Sequence, residues 1–498
     1  MEMGFERKRI PCLDTALQQV QNSEQTLELK LQEGMPDAGQ ILTVWGQPVL
    51  RSKEWREDQV QFSGGMMVWV LYAPEDGSEE QCVQGWIPFQ MRWELPESTP
   101  EGTLRLRCLT RFVDARSTSP RKILVRAGMA AMAEAYVPVE LEIAEPKEPS
   151  ESVALLEHTY PVRLMKEAGE KAFQIEEELY LPDSAPKAKR LISWRLSPRI
   201  TDHRVLADKV VFRGNGNLHV LYRSDAGQLH SWDFELPFSQ YADLRGEYGS
   251  DARVESALMP TALELELREN GTLDLRSGMT AQYLVTDQQP VRIVEDAYSP
   301  GWDLTVNGET VTAPVVLENR RENIYAEQTV SAAANLTADV QFLPDFSRQR
   351  PGENGVQLEY PGQFQVLYYD EDRRLRGATC RWEGKGNLPM GENSRVTAVP
   401  MGPEAQTMIG NGSILVKADL PMELTATTKQ EIPMVTGVAL GQQKKPDPDR
   451  PCLILRRAGS SSLWDIAKAA GSTMEAIRRA NGLTGEPNPE QMLLIPVP

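Results

Sequence analysis

The chain has 498 residues, too many for one hydrophobic core and enough for three or four domains. Apolar residues make up 41% and charged residues 25%, ordinary proportions for globular protein. The formal net charge of −18 argues against nucleic acid as a main partner.

The N-terminal stretch from Met1 to Ile10 is charged and lacks an apolar h-region, so no secretory signal is expected. No run of about 18 apolar residues occurs, so no membrane span is expected either. Five cysteines (Cys12, Cys82, Cys108, Cys380, Cys452) are scattered, with no C-x-x-C, which suits a reducing compartment.

Residues 1–148 form the first of three repeats. An amphipathic region, Leu17 to Leu31, precedes Pro36-Asp37 and Ile41-Leu42. Then comes a strand pattern, Met66-Met67-Val68-Trp69-Val70-Leu71-Tyr72, closed by the acidic turn Glu75-Asp76-Gly77. The pattern returns as Leu218-His219-Val220-Leu221-Tyr222 and as Phe364-Gln365-Val366-Leu367-Tyr368. Its central leucines lie 150 and then 146 residues apart. A period this long means tandem domains and not a solenoid of small units. Within each copy Val and Tyr share one parity, so one strand face is expected inside and the other free. Glycines at 64, 65, 214, 216 and 362 predict a bulge or turn beside each copy.

Ile123 to Met129 resembles Leu273 to Met279 at the same period of 150, and resembles Ile414 to Leu420 more loosely. Ala127 to Ala135 reads as helix on propensity, but its repeat partner at 278–285 reads as strand. The repeat argument outranks the local one, so both are expected to be strands. The second repeat covers 151–298, with Pro182-Asp183 and Leu191-Ile192 echoing the first and Leu236-Pro237-Phe238 echoing Ile87-Pro88-Phe89. The third, at 299–440, is the most divergent, and its stretch 348–355 reads as a surface loop. Residues 441–450 are polar and broken by Pro446 and Pro448, as a tether would be.

From Pro451 onward the character changes. The tail carries five Lys/Arg against four Asp/Glu, while the rest of the chain carries 48 against 67. Leu453 to Leu455 and Leu493 to Pro496 are short strand patterns. Ser462 is placed to cap a helix with Leu463, Ile466, Ala467 and Ala470 inward. Ser472 to Glu475 reads as a capping box for a second helix ending at Gly482. The fold class is therefore mainly β: three tandem all-β, sandwich-like domains plus a small β-α-α-β domain.

No Walker A, G-x-S-x-G or H-E-x-x-H pattern occurs, and four histidines are too few for a metal cluster. Neither a catalytic residue, nor a metal site, nor a cofactor is expected. His219 falls on the outward parity of its strand, where solvent is expected.

The tail resembles a LysM domain through Ser462-Leu463-Trp464-Asp465-Ile466-Ala467, through Ile477 to Leu483 and through Leu493 to Pro496. LysM domains bind N-acetylglucosamine glycans in a groove between two loops. The resemblance implies a groove formed by Ser460, Ser461, Ser462, Leu463 and Trp464 on one side and Asn481, Gly482, Leu483 and Thr484 on the other. The family usually has Gly-Asp-Thr where this chain has Ser460-Ser461-Ser462, so a charged acceptor is missing. Arg456, Arg457, Arg478 and Arg479 are forked donors suited to carboxylates on a protein partner. The three repeats resemble SPOCS domains, and SPOCS repeats followed by LysM resemble the SipL family of spore-morphogenesis proteins. That resemblance implies a non-enzymatic mother-cell scaffold at the forespore surface. Its LysM tail would dock a coat morphogenetic protein, an ATPase. The alternative is a cell-wall or cortex protein that binds peptidoglycan or a chitin-type glycan through the LysM domain. An enzyme such as a cortex hydrolase is the third reading, and it lacks a catalytic constellation.

Overall fold

The computed structural model describes residues 2–148, 152–249, 251–352, 355–391, 393–410, 412–445 and 451–497. The first unit contains β1 (Glu2–Met3), β2 (Phe5–Lys30), β3 (Ala38–Arg56), β4 (Gln59–Pro74), β5 (Gln81–Glu94), β6 (Thr103–Ser119) and β7 (Lys122–Pro146). The second contains β8 (Ala154–Leu179), β9 (Ala188–Ser224), β10 (Leu229–Tyr248), β11 (Arg253–Leu267) and β12 (Leu273–Tyr298). The third contains β13 (Trp302–Val330), β14 (Ala334–Pro344), β15 (Arg348–Gly352), β16 (Gly355–Asp370) and β17 (Leu375–Leu388). It ends with β18 (Arg395–Pro400), β19 (Glu404–Gly410) and β20 (Ser413–Gln443). The tail is β21 (Leu453–Arg457), α1 (Leu463–Ala470), α2 (Met474–Asn481) and β22 (Met492–Pro496).

One plan recurs three times. In the first unit β3-β4-β5 make one antiparallel sheet and β6-β7-β2 the other. Their inner faces meet in a core that includes Val68, Val70 and Tyr72 on one side and Val125, Ala127 and Met129 on the other. In the second unit β9 does the work of two strands: it turns at Ala207 (φ 53°), 150 residues after the Glu57 turn (φ 25°). In the third unit the strand opposite β16 is split into β14 and β15.

The long first and last strands of each unit form ribbons of 25 residues or more, well beyond the usual strand length. Each ribbon serves two cores. Register shifts leave Ala16, Lys166 and Leu317 unopposed, at spacings of 150 and 151 residues. Beyond these bulges each ribbon lies on its own sandwich. Before them, Ile10, Leu141, Val162, Val291, Val311 and Ile432, drawn from all three units, share one core. Residues of β1 close the arrangement, since Met3 pairs with Val438 of β20.

The Val-Leu-Tyr motif divides along the same lines. Val70, Val220 and Val366 are buried, as are Tyr72 and Tyr222, while Tyr368 is half-buried. The other parity is not free as expected: Leu71, Leu221 and Leu367 are also buried, together in a core shared by the three units. Trp69 and Trp194 meet edge to face there at 5.1 Å. The glycines beside the motif are explained by close approach. A Cβ on Gly64 would lie 2.4 Å from Val49 O, and one on Gly214 would lie 2.2 Å from Arg199 O. No turn occurs at Gly64, because β4 runs on through it; the bulge lies opposite, between Leu50 and Ser52. The Ala-rich stretch 127–135 is strand because both faces of β7 are covered. Ala127, Ala131 and Ala133 face the sandwich, while Ala130 and Met132 face Phe346 and Val399 of the third unit. Residues 348–352 form the exposed strand β15 and not a loop; 353 and 354 lie outside the described residues.

Polar junctions fix how the units meet. Asp339 of β14 accepts from Trp45 Nε1 (2.8 Å) and from both Arg195 terminal nitrogens (3.0 and 3.1 Å). His219 is not solvent-facing: its Nε2 lies 3.0 Å from Asp339 Oδ1 and its Nδ1 lies 2.9 Å from Asp233. Burial works against the Asp339 charge, but Arg195 and His219 outweigh it and hold the carboxyl well below the usual range. Burial and Arg195 oppose charge on His219, yet the two aspartates prevail and its pKa is raised. A second junction joins Arg105, Arg107 and Glu134 of the first unit to Glu255 of the second and Glu423 of the third. Backbone edges at the centre are also covered: the Gln282 amide pairs with both the N–H (2.8 Å) and the C=O (2.7 Å) of Leu106, as a neighbouring strand would.

Among the described residues no helix is long and apolar enough to cross a membrane, and no group of three or more potential metal ligands occurs.

Because Leu221 sits in the shared core, Leu221→Ala is expected to cost about 2–5 kcal/mol. It should also split a single calorimetric unfolding transition into more than one; a single transition at the original temperature would contradict the shared core. Asp339→Asn breaks a buried pair and is expected to cost about 3–5 kcal/mol at neutral pH. A depressed carboxyl contributes above its unfolded pKa and loses that contribution as pH falls. The gap between variant and parent should therefore narrow below about pH 4, which urea unfolding at a series of pH values measures.

Candidate binding surfaces of the C-terminal module

The tail folds as β21-α1-α2-β22, with the two strands paired antiparallel. Leu463, Ile466, Ala467, Ile477, Leu493 and Ile495 form its core. Ser462 caps α1 by accepting from Asp465 N at 3.1 Å, and Gly471 ends it with φ 60°. The second cap differs from the capping-box expectation. Thr473 accepts from Ala476 N at 3.1 Å, while Ser472 is buried and its hydroxyl donates to Pro496 O. Gly482 stops α2 with φ 64°.

The residues expected to line a groove are brought near one another, but most of their polar groups are already engaged. Asn481 donates to Ile477 O (2.8 Å) and Leu494 O (2.6 Å) and accepts from Leu494 N (2.8 Å). It ties α2 to β22 and has no polar atom left over. Ser462 serves the cap. Leu463 is buried, and its N–H donates to Glu486 at 2.8 Å, a carboxylate that bridges the two loops. Leu483 is half-buried. Ser460 and Thr484 are exposed, Ser461 is half-buried, and exposed Gly482 supplies only backbone.

Trp464 lies elsewhere. Its ring stands edge to face on Tyr298 of β12 at 4.7 Å, and its Nε1 donates to Asp296 at 2.8 Å. Lys468 completes this seat with bonds of 2.6 and 2.8 Å to the same carboxylate, and Tyr298 donates to Ser472 O at 3.0 Å. Burial works against the Asp296 charge, but bonds from Lys468 and Trp464 hold its pKa down. Residues 441–443 of the expected tether continue β20, Lys444 bonds back to Gly301 O and Ser299 O, and 446–450 lie outside the described residues. The tail is seated on the second unit through α1.

The four arginines are spread over the module. Arg457 pairs with Glu490 and Arg479 with Glu475 (2.9 Å), both at the surface. Arg456 is exposed, and Arg478 is half-buried with its Nε unpartnered.

A surface not foreseen from the sequence lies on the outer face of the hairpin. Leu453, Leu455, Met492 and Leu494 are exposed by 50, 62, 51 and 39%. Leu455 stands opposite Leu494, and Arg457 opposite Met492. The signal was present: Leu453-Ile454-Leu455 and Met492-Leu493-Leu494-Ile495 are apolar at both parities, the mark of a strand covered on two faces. Among the described residues only one face is covered.

Residues 187–262 match the family model described as SipL, SPOCS domain, and residues 460–496 match the LysM domain model. The chain thus carries a SipL-type SPOCS domain, spanning β9, β10 and most of β11, and a C-terminal LysM domain. These families are not catalytic ones. No curated protein and no solved structure matches the chain.

Tyr298→Ala with Asp296→Ala should unseat the LysM domain without unfolding it. Limited proteolysis between 444 and 451 should then accelerate, while amide-exchange protection in α1 persists. Unchanged cleavage would show that this seat does not hold the tail.

Proposed function

We propose that the chain is a non-enzymatic sporulation scaffold that helps assemble the spore coat on the forespore surface from the mother-cell side. In this reading all three β units are SPOCS-like domains, at 1–148, 151–298 and 299–440. The matched second unit and the recurring strand plan support that extension to the first and third.

The LysM domain is the docking end of the scaffold, and the observation that carries this is the apolar outer face of its hairpin. Four exposed large side chains on one small two-stranded sheet are costly in water and mark a protein contact. Arg457, opposite Met492 on the same face, suits carboxylates on the partner. The partner in this reading is a coat morphogenetic ATPase.

Binding of peptidoglycan or another N-acetylglucosamine glycan is the second reading, favoured by the LysM match itself. The groove supports it less well. Asn481 and Ser462 are engaged by backbone, and the Leu463 amide is held by Glu486.

Leu455→Ser with Leu494→Ser should abolish capture of the coat partner from sporulating cells while the domain stays folded. Arg478→Glu with Arg479→Glu should weaken capture while circular dichroism shows the domain still folded. If both variants capture normally and the domain binds N-acetylglucosamine oligomers at low-micromolar affinity, the glycan reading replaces this one.

A further inference from the structure

The carboxylate of Asp339 on β14, where the second and third units meet, is surrounded on both oxygens. Oδ2 accepts from Trp45 Nε1 at 2.8 Å and from Arg195 Nη1 at 3.0 Å. Oδ1 accepts from Arg195 Nη2 at 3.1 Å, and His219 Nε2 stands 3.0 Å from it. The His219 approach lies off the hydrogen-bond direction, so charge is what makes it attractive.

The other ring nitrogen shows what that charge must be. His219 Nδ1 lies 2.9 Å from Asp233 Oδ1, directly across the β9–β10 ladder. A neutral imidazole has one N–H and one lone pair. Either neutral tautomer would turn its lone pair on a carboxylate, at 2.9 Å or at 3.0 Å. Only the imidazolium, with an N–H on each nitrogen, suits both.

The repeat marks the position as special to the second unit. The residue two before the central leucine is Trp69 in the first copy, His219 in the second and Gln365 in the third. The strand plan thus accepts three different side chains here, and only the second copy places one that titrates near neutral pH. Other polar links between the second and third units are long. Arg199 and Glu404 stand 3.8 Å apart at the surface, and Arg321 Nη1 donates to Thr201 O at 3.4 Å. Such contacts hold little on their own.

We propose that His219 is a proton-operated latch between the second and third units: its imidazolium bridges Asp233 and Asp339, and loss of the proton loosens β14 from β9. The charged groups facing the ring are Arg195 of β9, Asp233 of β10 and Asp339 of β14. Arg107, Arg199, Glu235, Glu404 and Glu423 line the same cavity, of about 670 Å³, between the units. His219 and the exposed Asp233 line it too, which gives the proton a route to water.

Burial and Arg195 work against charge on the ring, but Asp339 and Asp233 outweigh them and raise its pKa above the ordinary value. A raised histidine contributes fully below its unfolded pKa of about 6.5 and loses that contribution as pH climbs through the folded value. The latch is therefore closed in mildly acidic solution and loosens toward alkaline pH. It acts independently of the LysM docking face.

The test begins with nuclear magnetic resonance of the full chain, labelled with nitrogen-15 at histidine, which reads the protonation of both ring nitrogens. The signal missing from His219→Gln identifies His219, and its midpoint is expected above about 6.5. His219→Gln places at 219 the residue that the third copy carries at the matching position. The parent's advantage over this variant in the urea unfolding constant should shrink by about threefold or more between pH 6 and pH 9. Amide-exchange protection of β14, taken relative to the variant, should fall over the same range, while that of β4 holds. His158→Gln, at an exposed histidine, should leave the β14 pattern unchanged. Should His219→Gln fail to fold, Asp233→Asn provides the same reading, since it should lower the His219 midpoint. The proposal is overturned if His219 titrates at or below about 6.5, if the stability gap is equal at both pH values, or if β14 protection does not follow it.

Discussion

A three-stranded sheet that is apolar on both faces cannot be satisfied by one sandwich. That constraint governs this chain. The strand bearing Val-Leu-Tyr turns Val and Tyr into its own unit and Leu away from it, and the strand bearing Ala127 to Ala135 is buried on both sides. Exposing these second faces would cost about 25 cal/mol for each Å² of apolar surface left in water. The units therefore settle against one another, and each long ribbon bends at its bulge to serve first the shared core and then its own. The repeat is local in sequence, but its stability belongs to the trio.

Apolar contact alone does not specify how three similar units are arranged. The buried polar junctions do. Trp45, Arg195 and Asp339 come from the first, second and third units, and each loses its partner if one unit shifts. Desolvating such groups is expensive, and well-packed apolar side chains would often do as well energetically. What the charges add is discrimination between the native arrangement and its near relatives. The same logic explains Gln282, whose amide stands in for a strand where two units' edges meet.

Much of this was legible in the sequence, and the reasons are physical. A period near 150 residues survives divergence because the core needs Val, Leu and Tyr at fixed strand positions. The LysM caps are legible because Ser462 and Gly482 answer local backbone geometry. Contacts between units were not legible. His219 looked solvent-facing because parity describes one sheet and is blind to what packs on its outer side. Trp464 looked like a groove residue because a motif carries no information on the seat offered by Asp296 and Tyr298, some 170 residues earlier. The outer face of the LysM hairpin lay between these cases. Its unbroken apolar runs announced a covering that the described residues do not provide.

The pairing of Met3 with Val438 ties the order of synthesis to the finished shape. The first strand leaves the ribosome 435 residues before its partner exists. At ordinary elongation rates that is a wait of tens of seconds or longer. The LysM domain emerges later still, and its seat lies on a unit already made. A chain stopped before β20 thus lacks the closing strand pair, and one stopped before α1 leaves the seat at Asp296 and Tyr298 empty. The contacts that join distant parts of the sequence therefore form late, after the units they close on have been made.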